Sequence, residues 1–438
     1  MRRYRWGVAD RLLSVEDSRR GETRYSYTPT GQLERAEYPD GRVQWRKSDQ
    51  TGNLYPDPDM RLRRYLGGGR LEQDGEWHCE YDADGNLTER YLGTGRWLDG
   101  KKDRWRYRWN ADGSLAKVVR PDKREVEFTY DALGRRLSKS FGTTVMRWVW
   151  NGNVPLHQWK QHREYSVVED RWNTDTERRD MTVWLFDEDS FVPVAMLKEG
   201  RSYSILTDQL GAPTEAYDAE GNEVWNRVLD MDGNVIGETG NRGMIPFLFQ
   251  GQYYDRETGL AYNRFRYYDP KTGNYISQDP IGLAGGNPTL YGYVFDPNTQ
   301  IDPLGLDCSY VSKDFKNGAS FLITKKDYLR FIAGKKKVGR VDGQFVIPKK
   351  DMDNLLKKSN GDIAQIEKAL GIPEGNWQDK GGLVRVDIPN PEDYNLRLPT
   401  ANMSGANEKF ELGGKTSGGI PEGVIDQVPK INVIITKL

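Results

Sequence analysis

Residues 246–306 read "PFLFQGQYYDRETGLAYNRFRYYDPKTGNYISQDPIGLAGGNPTLYGYVFDPNTQIDPLGL". The first part alternates aromatic runs with polar turn phrases that end in glycine, as in "RYYDPKTGNYIS", which is the pattern of a β-hairpin. The last part writes one phrase twice: Asp279-Pro280-Ile281-Gly282-Leu283 and Asp302-Pro303-Leu304-Gly305-Leu306. After Leu306 the sequence changes character.

Working outward from this block, residues 1–245 repeat the same idea more loosely. "YSYTPTGQLERAEY", "CEYDADGNLTERYL", "YRWNADGSLAKVVR", "FTYDALGRRLSKSF" and "EAYDAEGNEVWNRVL" each place a Tyr or Trp a few residues before a Gly, then often an apolar residue. Asp/Asn-Gly supplies the positive φ that a tight turn needs, and alternating aromatics give each strand one face to bury. A lone hairpin cannot bury that face, so neighbours must stack. The stretch 145–206 shows the phrase only in degenerate form. The expected fold is a β-rich shell of antiparallel hairpins over 1–245, an associated segment over 246–306, and a small α+β domain over 307–438.

The repeat resembles the YD repeat of Rhs and teneurin-type proteins, in which a strip of hairpins spirals into a hollow shell. Residues 246–306 resemble the terminal core segment of bacterial Rhs proteins almost word for word. That resemblance implies a carrier whose variable C-terminal segment, here 307–438, is a toxin. It also implies a cognate immunity protein, a spike or loading protein of a secretion machine such as type VI, and a macromolecular target in the cytoplasm of another cell. The chain starts inside the repeat pattern, so the expectation is the C-terminal part of a longer Rhs protein or a separate cassette.

The doubled phrase has two readings. Asp-Pro and Gly are common turn residues, so both copies could simply be turns. Proline also biases the residue before it toward an extended conformation, which aims the carboxylate. Two carboxylates held close cannot both ionise easily, so one keeps a proton as general acid while the other activates water. The resemblance to the Rhs motif favours the second reading. It implies self-cleavage between Leu306 and Asp307 by the pair Asp279 and Asp302.

Composition narrows the rest. The 438 residues carry a net charge of −1, but 1–306 hold 43 basic and 48 acidic side chains while 307–438 hold 21 and 17. Two cysteines, Cys79 and Cys308, are too few for a disulfide framework and lack metal-ligand spacing. No window is long and apolar enough for a membrane helix, so this chain is not expected to insert by itself.

The three histidines, His78, His157 and His162, all precede Leu306, which leaves residues 307–438 without histidine chemistry. No Gly-x4-Gly-Lys-Ser/Thr loop is present, and the one nuclease-like triplet, Asp314-Phe315-Lys316, has no suitable acid before it. The end, "GGKTSGGIPEGVIDQVPKINVIITKL", puts Glu422 at a strand start after a long glycine-rich loop. It resembles the closing portion of bacterial ADP-ribosyltransferase toxins. In that reading Glu422 would stabilise the oxocarbenium-like ribose as NAD loses nicotinamide, and Arg340 or Arg385 would grip the pyrophosphate. Ile420 stands where the usual Glu or Gln of the family's paired motif would be, which leaves an arginine target unsupported. The other readings are a histidine-free ribonuclease that tracks RNA with the lysines of 325–358, and a non-enzymatic binding tip built on "NMSGANEKFELGG".

Overall fold

The computed structural model describes residues 2–306, apart from 9–10, 30, 94–99, 189 and 286, and residues 315–438, apart from 342, 395, 397–415 and 417. The chain divides into two compact units, Met1–Asp307 and Cys308–Leu438.

The first unit is built from one local rule. In "YDADGNL", the Asp82 N–H donates to the Asn86 carbonyl at 3.0 Å, the Gly85 N–H to the Asp82 carbonyl at 3.2 Å, and the Asn86 N–H to Asp82 Oδ1 at 2.8 Å. Gly85 has φ +80°. The glycine therefore closes a longer Asp-x-x-Gly loop; it is not half of a two-residue Asp/Asn-Gly turn as the sequence suggested. The same loop recurs at Asp131–Arg135, Asp218–Asn222 and Asp230–Asn234. Each extra residue is absorbed as a register shift beside the aromatic, for instance between Glu80 and Tyr81 and between Thr129 and Tyr130. The degenerate stretch uses true two-residue turns instead: Lys198 pairs with Arg201 across Glu199 and Gly200, at φ +51° and +75°.

The repeat aromatic ties neighbouring hairpins together. Trp109 Nε1 donates to the Leu87 carbonyl at 2.8 Å, the Tyr130 hydroxyl to the Leu115 carbonyl at 2.8 Å, and Trp150 Nε1 to the Arg136 carbonyl at 2.7 Å. A ring can thus be buried with its polar tip satisfied. Strands from Arg63–Leu66 to Val235–Gly240 form an antiparallel barrel. Its inward residues, among them Tyr107, Val126, Phe128, Trp148, Trp184 and Trp225, form one core with Ile245, Phe247, Tyr253, Leu260, Tyr262, Tyr267 and Ile276.

Apart from Ile245, the later residues of that core come from the block 246–306, which fills the barrel as a plug. Its own sheet runs Tyr253–Asp255, Leu260–Asn263, Arg266–Asp269 and Asn274–Tyr275. Both middle strands are buried along their whole length. Such a plug carries polar groups inward, and buried cations of the wall meet them. Arg136, 1% exposed, donates to both oxygens of Asp255, and Lys139 Nζ reaches Asp255 Oδ1 at 2.9 Å. Burial pushes the Asp255 carboxyl up, but Arg136 and Lys139 outweigh it and hold it below the usual range. Arg90 Nη1 likewise reaches Asp269 Oδ2 at 2.8 Å.

The second unit is α+β. Its five-stranded antiparallel sheet has the order Gly423–Ile425, Gln344–Pro348, Ala319–Thr324, Leu383–Ile388, Ile434–Lys437. Period-two alternation sends Leu322, Ile347 and Leu383 to one core, with Met352, Leu355 and Ile366 of the helices Lys349–Ser359 and Ile363–Ala369. Phe321, Val346 and Val386 pack on the other side with Ile332, Val338 and Val428. The helical run breaks at Asn360, which adopts the left-handed conformation, and Asp362 caps the next helix by accepting the N–H groups of Ala364 and Gln365. The first helix runs over Lys325–Phe331. Among the described residues no helix is long and apolar enough to cross a membrane.

Candidate active site

Both copies of the repeated phrase are turns, and both aim a carboxylate at one cation. The Gly282 N–H donates to the Asp279 carbonyl at 2.9 Å and the Ile281 N–H to Asp279 Oδ1 at 2.9 Å. In the second copy the Leu306 N–H donates to Asp302 Oδ1 at 3.0 Å. Arg266 lies between them. Its Nη2 is 2.9 Å from Asp279 Oδ2 and 3.2 Å from Asp302 Oδ2, and all three side chains are almost fully buried. The turn reading and the dyad reading therefore describe the same loops.

Arg266 also fixes the chain on either side. Its Nη1 donates to the Leu290 carbonyl at 3.3 Å and its Nε to the Gly305 carbonyl. The Gly305–Leu306 peptide is thus held at its oxygen by Arg266 and at its N–H by Asp302, one residue before the Leu306–Asp307 bond. Asp307 itself lies outside the described residues. Burial raises the Asp279 carboxyl to about 6, against the lowering effect of Arg266. Around Asp302 the Tyr275 hydroxyl donates to Oδ2 at 2.8 Å, and Asn263 Nδ2 donates to the Asp302 carbonyl at 2.8 Å.

Arg266, Tyr275 and Asn263 were not singled out from the sequence. A signal was present in "YNRFRYYD": a charged residue inside a run buried on both faces must find partners of opposite charge. The partners lie 13 and 36 residues away in the chain, so only the fold names them. Gly305 is fixed as tightly. It has φ +68°, and a Cβ there would lie 2.4 Å from the Asn263 carbonyl oxygen. Gly305→Ala is expected to displace the chain beside the dyad and to slow cleavage by at least tenfold, measured as the fraction of intact chain on gels.

A family model described as Teneurin YD-shell matches residues 8–284. The chain belongs to the teneurin YD-shell family. Within it, this YD-shell chain is similar to Rhs/YD-repeat polymorphic toxins. A "Double-stranded DNA deaminase toxin A" of Burkholderia cenocepacia (strain H111) is 34% identical over 333 residues, covering 70% of this chain and 22% of that protein. A "Probable deoxyribonuclease RhsB" of Dickeya dadantii (strain 3937) is 30% identical over 320 residues, covering 70% and 21%. The YD-shell chain thus spans about a fifth of the length of these relatives. The solved structure titled "Crystal Structure of TcdB2-TccC3-Cdc42" aligns with TM-score 0.42 and 17% identity, covering 70% of this chain and 17% of that one.

In the second unit the YD-shell chain does not gather its expected NAD-binding residues. Glu422 immediately precedes the edge strand Gly423–Ile425 and is half-buried; burial alone raises its carboxyl to about 7. Arg385, in the strand Leu383–Ile388, is engaged within the unit. Its Nε donates to Asp387 Oδ1 at 2.6 Å and its Nη1 lies 2.6 Å from Asp353 Oδ1. Arg340 is exposed and precedes the strand Gln344–Pro348. That strand pairs Gln344 with Ile425 and Val346 with Gly423, so Arg340 and Glu422 flank opposite ends of the ladder. The glycine-rich loop falls largely outside the described residues, as does Asp314.

Proposed function

We propose that this chain is the carrier end of an Rhs-type toxin, whose first unit cleaves itself after Leu306 and frees residues 307–438. The observation that carries this reading is the shared contact of Asp279 and Asp302 with Arg266, beside the clamped Gly305–Leu306 peptide. Asp302 accepts hydrogen bonds on both oxygens, from Leu306 and Tyr275, which suits a carboxylate acting as base. Asp279, raised by burial, suits the proton-bearing acid.

In this reading water adds to the Leu306 carbonyl carbon while Asp302 takes its proton and Asp279 protonates the carbonyl oxygen. Asp302 then delivers its proton to the Asp307 nitrogen, and Asp279 takes one back from the gem-diol as the C–N bond breaks. The products are a Leu306 carboxylic acid and an Asp307 amine, with both aspartates returned to their starting states. Because Asp279 must carry the proton, the rate is expected to fall as pH rises through about 6. Following cleavage of freshly synthesised chain across pH checks this; a rate still climbing above neutrality would contradict it.

For the freed tail we propose ADP-ribosyl transfer from NAD with Glu422 as the carboxylate that faces the ribose. A half-buried carboxylate at a strand start supports it, with Arg340 or Arg385 as the arginine that would grip the pyrophosphate. The rival reading is cleavage of nucleic acid. It is favoured by the name of one relative, a probable deoxyribonuclease, and by the lysines of 325–358. The proposed setting is secretion by a folded-cargo or contact-dependent machine through a spike or loading protein, action in a target-cell cytoplasm, and protection of the producer by a cognate immunity protein.

One incubation separates the two tail activities. Cleaved protein is mixed with labelled NAD and bacterial lysate, beside Glu422→Gln. Label that appears on a macromolecule and drops at least a hundredfold in the variant is the expected result. Intact NAD with degraded nucleic acid would replace the transferase by the nuclease.

A further inference from the structure

We infer that Tyr275 is a positioning residue for the self-cleavage, orienting and polarising Asp302, and that Asn263 sets the direction of its hydroxyl proton. The inference rests on the cleavage reading above.

Tyr275 touches both charged partners of the site. Its hydroxyl is 2.8 Å from Asp302 Oδ2, and its ring lies under the Arg266 guanidinium at 3.7 Å from the centroid. Asn263, 0% exposed, places Nδ2 at 2.6 Å from the Tyr275 oxygen and 2.8 Å from the Asp302 carbonyl. The carbonyl can only accept, so the Asn263 group facing it must be the NH₂ end. That same NH₂ donates to the Tyr275 oxygen, which therefore presents its own proton to Asp302. A tyrosine placed in this way holds one carboxylate oxygen in place while the other accepts the Leu306 N–H. The Asp302 carboxylate is then fixed beside the Gly305–Leu306 peptide.

This arrangement does more than pack. A ring alone would hold Arg266 by stacking, and phenylalanine would do that equally well. The hydroxyl is needed only if the charged form of Asp302 has to be favoured during the reaction. The charged and titratable groups facing Asp302 are Arg266, Asp279, Tyr275 and Tyr293. Of these, Arg266 and Tyr275 hydrogen-bond its carboxylate through their side chains.

The test is the pH dependence of cleavage in the full chain. Pulse-labelled wild type, Tyr275→Phe and Tyr275→Leu are synthesised cell-free, transferred to buffers from about pH 4 to 8, and followed on gels. Removing a donor from a carboxylate makes it harder to ionise. Tyr275→Phe is therefore expected to move the acid limb of the profile up by about one pH unit and to slow cleavage about tenfold below it. Tyr275→Leu, which also loses the ring under Arg266, is expected to be slower than Tyr275→Phe at every pH.

A Tyr275→Phe chain that cleaves with the wild-type rate and limb overturns the inference. So does one slowed by the same factor at every pH, because a merely structural hydroxyl would do that. If near-ultraviolet circular dichroism shows Tyr275→Phe unfolded, Asn263→Ser takes its place, with a smaller limb shift in the same direction expected and an unmoved limb overturning the inference. Wild type that stays intact removes the cleavage reading itself, a result distinct from any of these.

Discussion

Asp302→Asn is expected to leave one intact chain where the wild type is expected to separate into pieces of 306 and 132 residues. The asparagine side chain has nearly the shape of the aspartate, and its oxygen can still accept the Leu306 N–H. It cannot take a proton from water. A positioned general base contributes about 10²–10⁴ in rate, and here the amide would also place an NH₂ against the Arg266 guanidinium and the Tyr275 hydroxyl. Overnight incubation should therefore show no fragment on a denaturing gel, while the circular dichroism of the folded chain is kept. Cleavage of Asp302→Asn at the wild-type rate would remove Asp302 from the mechanism and leave its loop as a turn alone.

The second large effect is on stability. Arg136→Met is expected to destabilise the first unit by about 3–5 kcal/mol, because it strands the fully buried Asp255 with only Lys139 for a partner. The guanidinium also fills space between Trp148 and Tyr262, at 4.5 and 4.6 Å from their ring centroids, so the substitution loosens the plug as well as its charge pairing. The denaturation midpoint measures the loss. Cleavage should fall with it, since Arg266, which contacts both Asp279 and Asp302, belongs to the same plug sheet as Asp255. A variant with an unchanged midpoint would show that the Arg136–Asp255 pair contributes no net stability, as happens when desolvation offsets attraction.

These two residues differ in how far the sequence exposes them. Asp302 sits in a repeated phrase whose chemistry is carried by adjacent residues, so it can be found by reading. Arg136 follows a turn in "DALGRRLSKSF" and looks like any solvent-facing arginine of a hairpin. Its partner is 119 residues downstream, and nothing local reveals that this face of the strand turns inward. The turn geometry falls between the two cases. Glycines mark most of the loops, Lys123 taking that place in the Arg120–Arg124 loop, yet whether a glycine belongs to a two-residue turn or closes a five-residue loop depends on the hydrogen bonds of the flanking aspartate, as at Asp82 and Gly85.

What the sequence determined by itself is local: the hairpin array, the change of character after Leu306 and the two Asp-Pro-x-Gly turns, whereas the pairing of Asp279 with Asp302 was implied by the resemblance to the Rhs motif. The local features follow from periodicity or from residues whose φ preferences act within a few positions. What only the tertiary structure decided is which distant groups meet. It filled the barrel with the chain's own residues 246–306, brought Arg266 and Tyr275 to the two aspartates, and committed Arg385 to Asp353 and Asp387. The physical reason is that burying a charge is costly unless an opposite charge or a hydrogen bond meets it. That requirement is satisfied by side chains close in space, whose separation along the chain no local pattern records.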